Sequence, residues 1–350
     1  MRNILVTGAS GFIGSHVCLL LLEKGFNVIA FDSFVNSSSK SLHNVLKILE
    51  NQNIDASGRI DIIKGDLKNK TDIQEIFEKG LELEEPIEAV IHLAGLKSVL
   101  ESAKDPLNYW KNNVNGSINL FQTMNDYNCK TLVFSSSATV YESNDKKINE
   151  DQILKPVNPY GNSKLAIEMI LNDIYLSDSS NWRIVCLRYF NPIGAHYSGL
   201  IGEDPLSKVN NIYPKITKVA IGLIDEIKIF GSDWPTKDGT GVRDYIHVMD
   251  LAEGHLSALN YINKNEPNIL KLNLGTGLGT TVLELISTFQ KINNVNIPYK
   301  FESRRVGDNA IVIADNSLAK SILNWKPKRN LEDMCRDGWN WQLNNPNGYE

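Results

Sequence analysis

The chain opens on a pattern that few folds can accommodate: a short apolar strand, a glycine-punctuated turn and a helix in immediate succession. Asn3–Val6 reads as a buried strand, Thr7-Gly8-Ala9-Ser10-Gly11-Phe12-Ile13-Gly14 as the turn, and Ile13–Glu23 as the helix. The unit then recurs. Asn27–Phe31, Ile60–Ile63, Ala89–Leu93, Thr131–Phe134 and Ile184–Leu187 are short runs rich in Ile and Val with polar or glycine borders. Helical stretches Ile73–Lys79, Ile118–Tyr127 and Lys164–Tyr175 lie between them. Such alternation predicts an α/β fold, a doubly wound parallel sheet whose ligands sit at the carboxyl ends of the strands. Beyond about Asn191 the elements shorten and Gly and Pro become frequent. Residues 1–190 are therefore assigned to a first domain and 191–350 to a second, smaller α/β domain, with some later segments able to pack back on the first sheet.

Composition narrows the function classes. Of 350 residues 42% are apolar and 22% charged, the profile of a folded globular chain. A net charge of −5 argues against a general nucleic-acid or acidic-membrane binder, so any anionic ligand must be held by local donors. Cys18, Cys129, Cys186 and Cys335 are scattered with no CxxC pair, which suits buried free thiols and no metal centre. No signal peptide precedes the first strand and Cys18–Leu22 is too short to span a bilayer. The Asn-x-Ser/Thr sequons at Asn36, Asn69 and Asn115 are then read as chance, and a cytoplasmic location is expected.

The opening turn has a specific chemical use. Gly8 and Gly11 allow a tight turn and close backbone approach to a pyrophosphate, the helix N-terminus offers free N–H groups, and Gly14 lets the helix pack closely on the sheet. Glycines alone are weak evidence, because turns use them constantly. Here Asp32 adds weight, standing 18 residues after Gly14 at the end of the second strand. A carboxylate there accepts the ribose hydroxyls of NAD and repels the 2′-phosphate of NADP, although a simple turn residue would look the same. Asp66, followed by Leu67, is either an adenine contact or a helix cap.

A second constellation lies further along. Tyr160 and Lys164 are one helical turn apart on one face, in a helix opening after Pro159. With 12 tyrosines and 36 Lys and Arg, roughly one such spacing arises by chance, so context must decide. Ser137 lies 23 residues earlier, at the carboxyl end of a strand. A phenol with a pKa of about 10 is a poor base unless a nearby positive charge favours its ionised form, and a lysine ammonium supplies one. Tyr160 would then take a hydroxyl proton, Ser137 would hydrogen-bond the same oxygen, and Lys164 would hold the nicotinamide ribose. The bland alternative is an exposed Tyr–Lys pair on an amphipathic helix.

With these residues in place the chain resembles the extended short-chain dehydrogenase/reductases, and among them the UDP-glucose 4-epimerases. The resemblance runs nearly end to end. It includes His92-Leu93-Ala94-Gly95-Leu96-Lys97, Asn112-Asn113-Val114-Asn115-Gly116, Ser135-Ser136-Ser137-Ala138-Thr139-Val140-Tyr141, Arg188-Tyr189-Phe190-Asn191-Pro192, Gly239-Thr240-Gly241-Val242-Arg243-Asp244-Tyr245-Ile246-His247 and Arg304-Arg305-Val306-Gly307-Asp308. It implies bound NAD contacted by Gly8, Gly11, Phe12, Ile13, Gly14, Asp32, Asn36, Asp66, Leu67, Leu93, Ala94, Gly95, Lys97, Asn112 and Phe190 beside Ser137, Tyr160 and Lys164. It implies a UDP-sugar held by Asn191, Asn211, Ile212, Arg243, Arg305, Asp308 and Val312, with Lys97, Ser137 and Tyr160 facing the sugar. Two arginine forks suit a pyrophosphate, and surface ion pairs are the alternative. The implied reaction interconverts UDP-galactose and UDP-glucose by transient oxidation at C4, in a homodimer packed through helices of the first domain.

Some positions depart from that pattern. Glu142 stands where close relatives often carry Gly, and the segment from Ser137 to Tyr160 is slightly short. Val312 is intermediate in size where relatives carry a residue controlling room beside the sugar 2-position, which opens the reaction to N-acetylated UDP-hexosamines. A nucleotide-sugar 4,6-dehydratase needs Asp-Glu after the Ser137 position, whereas this chain has Ala138 and Thr139. Thr139 also replaces the glutamate usual in UDP-glucuronate decarboxylases. A non-catalytic NAD sensor or scaffold on the same fold commonly loses the Tyr or the Lys, and both are present here.

Overall fold

The apolar runs become strands because each can be buried on both faces of one parallel sheet. In this computed structural model, which describes residues 3–142, 146–204, 211–305 and 308–349, they form β1 (Asn3–Thr7), β2 (Asn27–Asp32), β3 (Ile60–Lys64), β4 (Ala89–His92), β5 (Thr131–Ser137) and β6 (Arg183–Tyr189). Strand β4 stops at His92, one residue short of the expected end, while β5 runs on to Ser137 by pairing with Tyr189. The intervening helices are α1 (Phe12–Glu23), α2 (Lys40–Asn51), α3 (Lys70–Glu82), α4 (Val99–Lys104), α5 (Pro106–Tyr109), α6 (Gly116–Asp126) and α7 (Pro159–Ser177). A π-helical turn, Trp110–Asn115, joins α5 to α6.

The later elements are β7 (Asn191–Ile193), α8 (Ile212–Ala220), β8 (Ile227–Phe230), β9 (Val242–Arg243), β10 (Tyr245–His247), α9 (Val248–Lys264) and β11 (Ile269–Leu274). They continue with β12 (Thr280–Thr281), α10 (Val282–Asn293), β13 (Tyr299–Glu302), β14 (Ile311–Val312), α11 (Ser317–Leu323) and α12 (Leu331–Asn344). The main sheet has seven strands among the described residues, ordered β3-β2-β1-β4-β5-β6-β11. Its order reverses between β1 and β4, so the loops leaving them part and open a crevice at their carboxyl ends.

Strand β11 pairs in parallel with β6 and α9 packs beside α1, so residues beyond 190 complete the first sheet and its outer layer. Helix α1 is buried on nearly every side, with Val17, Cys18, Leu19, Leu21 and Leu22 fully enclosed against β1, α2 and α9. Burying each such leucine contributes about 1.5–3 kcal/mol, which fixes the helix whose N-terminus faces the crevice. On the opposite face Phe77, Phe121, Ile167, Leu171 and Trp182 pack over Leu5, Val90, Leu132 and Phe134. The remaining C-terminal elements form a separate core around Tyr213, Ile216, Leu285, Phe289 and Met334, with small sheets β8–β13, β12–β9–β14 and β7–β10. All four cysteines are free and buried. Among the described residues no helix is long and apolar enough to cross a membrane, and no group of three or more His, Cys, Asp or Glu is arranged to hold a metal ion.

Candidate active site

The crevice becomes a groove because glycines let the backbone close on itself. Gly8 has φ +68°, and a Cβ there would lie 2.7 Å from the amide nitrogen of Ala94. At Gly14 a Cβ would lie 2.1 Å from the carbonyl oxygen of Gly8. Gly11 caps α1 with no side chain on the first-turn amides, so those N–H groups and the positive end of the helix face the groove. Phe12, Ile13, Asn36, Asp66, Leu67, Leu93, Ala94, Gly95, Lys97 and Asn112 line the same groove with Gly8, Gly11, Gly14 and Asp32. A buried relay supports its floor. Thr7 Oγ1 bonds His92 Nδ1 at 2.7 Å, His92 Nε2 bonds Ser117 at 2.8 Å, and Thr7 Oγ1 accepts from the Ala94 amide. Burial lowers the His92 pKa to about 3, so the ring in this relay is neutral.

Asp32 does more than end a strand. Its carboxylate accepts from the amides of Ser10 and Phe34 and from the Ser37 hydroxyl, at 2.9–3.0 Å. It therefore ties the glycine loop to residues 33–37, and the acceptor capacity left over faces the groove. Asp66 is not a helix cap: Asn69 caps α3 by accepting from Thr71, while Asp66 accepts from the amide of Lys68 within the turn before it. Uncapped helix amides, a carboxylate at the end of β2 and a glycine-lined passage suit a dinucleotide such as NAD, and Asp32 disfavours a 2′-phosphate there.

The catalytic candidates meet beside this groove, joined to it through Ser135, which lines it and accepts from Lys164. Helix α7 starts where Asn158 accepts from the Gly161 amide at 2.8 Å and Pro159 occupies its first turn. Tyr160 then stands beside Ser137 at the end of β5, whose hydroxyl accepts from the Thr139 amide at 3.2 Å and from the Thr139 hydroxyl at 2.9 Å. Lys164 donates from Nζ to the Ser135 carbonyl at 2.7 Å and lies 4.9 Å from the Phe134 ring centroid. Burial lowers its pKa to about 8, against a raising influence from Glu168. Burial also raises the Tyr160 pKa, and the neighbouring Ser137 hydroxyl opposes this. Lys164 is thus held on Ser135, and the neighbour that lowers the Tyr160 pKa in the protein alone is Ser137. The pair is no exposed surface ladder: Lys164 is buried.

Helix α7 is anchored by a pair that motif spacing does not reveal. Arg188 on β6 grips Glu168 with Nε at 3.0 Å and Nη2 at 2.6 Å, and both side chains are only 1% exposed. Arg188 also donates to Tyr141, whose hydroxyl donates to Asn273 on β11. Asn113 in the π-helical turn adds a second anchor, bonding both the amide and carbonyl of Leu96 and donating to Ser163 on α7. Asn112, the residue expected in the site, lines the groove with its amide donating to Asn108. Glu142 takes its place with ordinary geometry, its amide bonding Ile153 and its carboxylate pairing with Lys155.

The substrate-side candidates come together only in part. Val312 on β14 is paired with Arg243 on β9, and Arg243 donates to the carbonyl oxygens of Val242 and Asn309. Arg305 forms an ion pair with Asp308 at 2.9 Å, and both bear on the Arg243 charge. The Arg305 guanidinium also lies over Phe230, 4.5 Å from the ring centroid, a residue that no sequence motif singles out. Val306 and Gly307 of that motif lie outside the described residues. Asn191 bonds the Asp244 carbonyl through its amide on β7. Phe190 and Val312 share a small apolar cluster with Ala138, Val140 and Leu165, which joins this side to the catalytic helix. Asn211 and Ile212 stand at the head of α8, and the exposed Asn211 side chain does not cap it. Two lining elements carry no motif at all: Gly202–Asp204 and Tyr349 near the C-terminus.

Comparison with known proteins agrees with this arrangement. Residues 5–338 match the GDP-mannose 4,6 dehydratase family. UDP-glucose 4-epimerase 2 of Arabidopsis thaliana is 47% identical over 99% of this chain and 97% of its own length. The UDP-glucose 4-epimerase of Bacillus subtilis (strain 168) is 46% identical over 99% and 98%. The crystal structure of the Bifidobacterium longum UDP-glucose 4-epimerase in complex with NAD+ and UDP superposes with a TM-score of 0.91 at 42% identity, covering 99% of this chain and 100% of that one. The family match by itself does not separate dehydratase from epimerase; Ala138 and Thr139, where dehydration needs two carboxyl groups, and the full-length likeness do. The chain thus belongs to the UDP-glucose 4-epimerases within the GDP-mannose 4,6 dehydratase family.

Proposed function

We propose that the protein interconverts UDP-galactose and UDP-glucose by oxidising the sugar at C4 and reducing it again on the opposite face, with one NAD retained throughout. The observation that carries this reading is the placing of Tyr160 beside Ser137 at the end of β5, with Lys164 buried one turn further along the same helix, next to a groove built for a dinucleotide and in a chain with no carboxylate at positions 138 and 139. NAD, when bound, supplies a reversible hydride acceptor and a cationic ring beside the phenol. Tyr160 takes the 4-hydroxyl proton while Ser137 steadies the same oxygen, and Tyr160 returns the proton when the keto sugar is reduced. Lys164 holds the nicotinamide ribose from α7. Asp32 and the α1 amides hold the adenosine and pyrophosphate half, with Lys97 and Asn112 along the groove and Phe190 beside the ring.

The other face of the sugar must become accessible without loss of the nucleotide. Asn191, Asn211, Ile212, Arg243, Arg305 and Asp308 anchor UDP, so affinity resides in the nucleotide and the 4-keto sugar is free to turn. Val312 leaves room beside the 2-position, and slower turnover of UDP-N-acetylglucosamine is expected. Residues 191–350 supply the UDP-sugar half, apart from α9 and β11, which complete the first sheet and its outer layer, and Gly202–Asp204 and Tyr349, which line the cofactor groove. The working form is a homodimer in the cytoplasm. Its contact face is the adjoining surface of α4, α5, the π-helical turn and α7, where Leu100, Leu107, Trp110, Met169 and Leu176 are 40–78% exposed. The test is conversion of UDP-galactose to UDP-glucose by purified protein without added NAD. Conversion supports the reading; NAD-bound protein that leaves both sugars unchanged would favour a sensor or scaffold.

A further inference from the structure

Two segments far apart in sequence meet over the groove opposite the glycine loop. Gly202, Glu203 and Asp204 follow the β7 region, and Tyr349 lies about 145 residues further on, yet all four line the groove with Gly11 and Asp32. Their seam is dense. The Tyr349 hydroxyl donates to the Gly202 carbonyl at 3.1 Å and accepts from its amide at 3.0 Å. The Tyr349 amide donates to Asp204 at 2.9 Å, and the Tyr349 ring packs 4.6 Å from the Trp341 ring of α12. Asn345 donates to the Gly199 carbonyl at 2.9 Å, while Asn44 of α2 holds the Leu200 carbonyl at the same distance.

The backbone is shaped for this closure. Gly348 has φ +82°, and a Cβ there would lie 2.2 Å from the Asp204 carboxylate. A Cβ at Gly202 would lie 2.3 Å from the Trp341 indole. Glu203, with a side chain only 8% exposed, reaches across the groove to Lys97 at 2.8 Å. The loop is thus fastened on one side by the tail and on the other by an ion pair with a residue of the cofactor groove.

We propose that the C-terminal tail is the cofactor-retaining strap of this enzyme: Tyr349 holds the 199–204 loop closed over the groove, so NAD leaves only when that seam opens. The proposal rests on the NAD-dependent epimerase reading and deepens it. An enzyme that regenerates its cofactor in every turnover gains nothing from exchange and strands its oxidised 4-keto intermediate if the reduced cofactor departs. Tyr349 is a positioning residue, acting through Gly202 and Asp204 on the loop.

The test uses the full chain and the variants Tyr349→Phe and Tyr349→Ala. NAD content is read after gel filtration, and the exchange rate from uptake of isotopically labelled NAD. Thermal melts in saturating NAD show that each variant is folded. The expected result is retention of NAD by the wild type and its loss by Tyr349→Ala, with activity restored by added NAD. Tyr349→Phe keeps the ring on Trp341 but loses the hydroxyl bonds, so exchange should quicken by about tenfold. Folded Tyr349→Ala that retains and exchanges NAD at the wild-type rate would overturn the strap and leave the epimerase reading intact. Wild-type protein that neither contains nor binds NAD would overturn that reading and the strap with it.

Discussion

The two halves of the site are built differently. The cofactor half is made of consecutive strand ends in one buried sheet, and its shape is set by covalent facts: glycines where a Cβ cannot fit and a helix whose first amides carry no cap. The proposed UDP-sugar half is assembled from short pieces, β7, β9, β14 and the head of α8, with a half-buried Arg305–Asp308 pair whose charges bear on Arg243 of β9. The contrast suits the chemistry. A cofactor that never leaves calls for a rigid cradle, whereas a sugar that must turn over calls for anchoring at its nucleotide and freedom beyond it.

Substitutions can break or sharpen this contrast. The largest effect is expected at the junction of the halves. Tyr160→Phe removes the proton acceptor and should lower kcat by about 10²–10⁴-fold while NAD content stays unchanged, read from turnover and cofactor release on the same preparation. Asp32→Ala comes next. It removes a charged acceptor from the ribose and frees Ser10 and Ser37, so NAD affinity measured by titration should fall by roughly 10–100-fold, with little change in UDP affinity. On the other side, Arg243→Ala should weaken UDP binding by calorimetry about tenfold or more, and Arg305→Ala by less, because Arg305 is 41% exposed and already paired with Asp308. Neither should release NAD.

Smaller effects test the electrostatics and the sugar pocket. The folded-state pKa of Lys164 is lowered to about 8 by burial, below its unfolded value. Below pH 8 both states are charged and the full burial cost weighs on the fold; the cost fades as pH rises from 8 toward the ordinary lysine value. In thermal melts, Lys164→Met should therefore gain most over the wild type below pH 8, and the gain should shrink above it. The smallest change in the main reaction is expected for Val312→Tyr, which should leave UDP-galactose turnover within about threefold while suppressing turnover of UDP-N-acetylglucosamine more strongly. Equal loss on both sugars would remove Val312 from the account of specificity.

The same contrast explains which features are legible in the sequence alone. Strands β1–β6, the glycine loop, Asp32 and the Tyr160/Lys164 helix are local patterns: apolar periodicity, turn chemistry and a fixed spacing on one helix face. Helix α2 is equally local, with Leu42, Val45, Ile48 and Leu49 at helical spacing, yet no motif draws the eye to it. That β11 is an edge strand of the first sheet depends on pairing with β6, some eighty residues earlier in the chain, which no local window carries. The Glu168–Arg188 anchor, Asn113 and Tyr349 are invisible for a similar reason. Each is an ordinary polar residue until a distant partner arrives. Breaking the first should cost about 3–5 kcal/mol, which sequence spacing alone would never suggest.

In the proposed cycle one hydride leaves C4 and returns to it without touching solvent. The direct measurement is conversion of UDP-galactose deuterated at C4, with the product examined by NMR. The expected product is UDP-glucose that keeps its deuterium at C4 in ordinary water, while unlabelled substrate gains none in heavy water. Washout of the label into solvent, or its uptake from solvent at C4, would contradict that cycle.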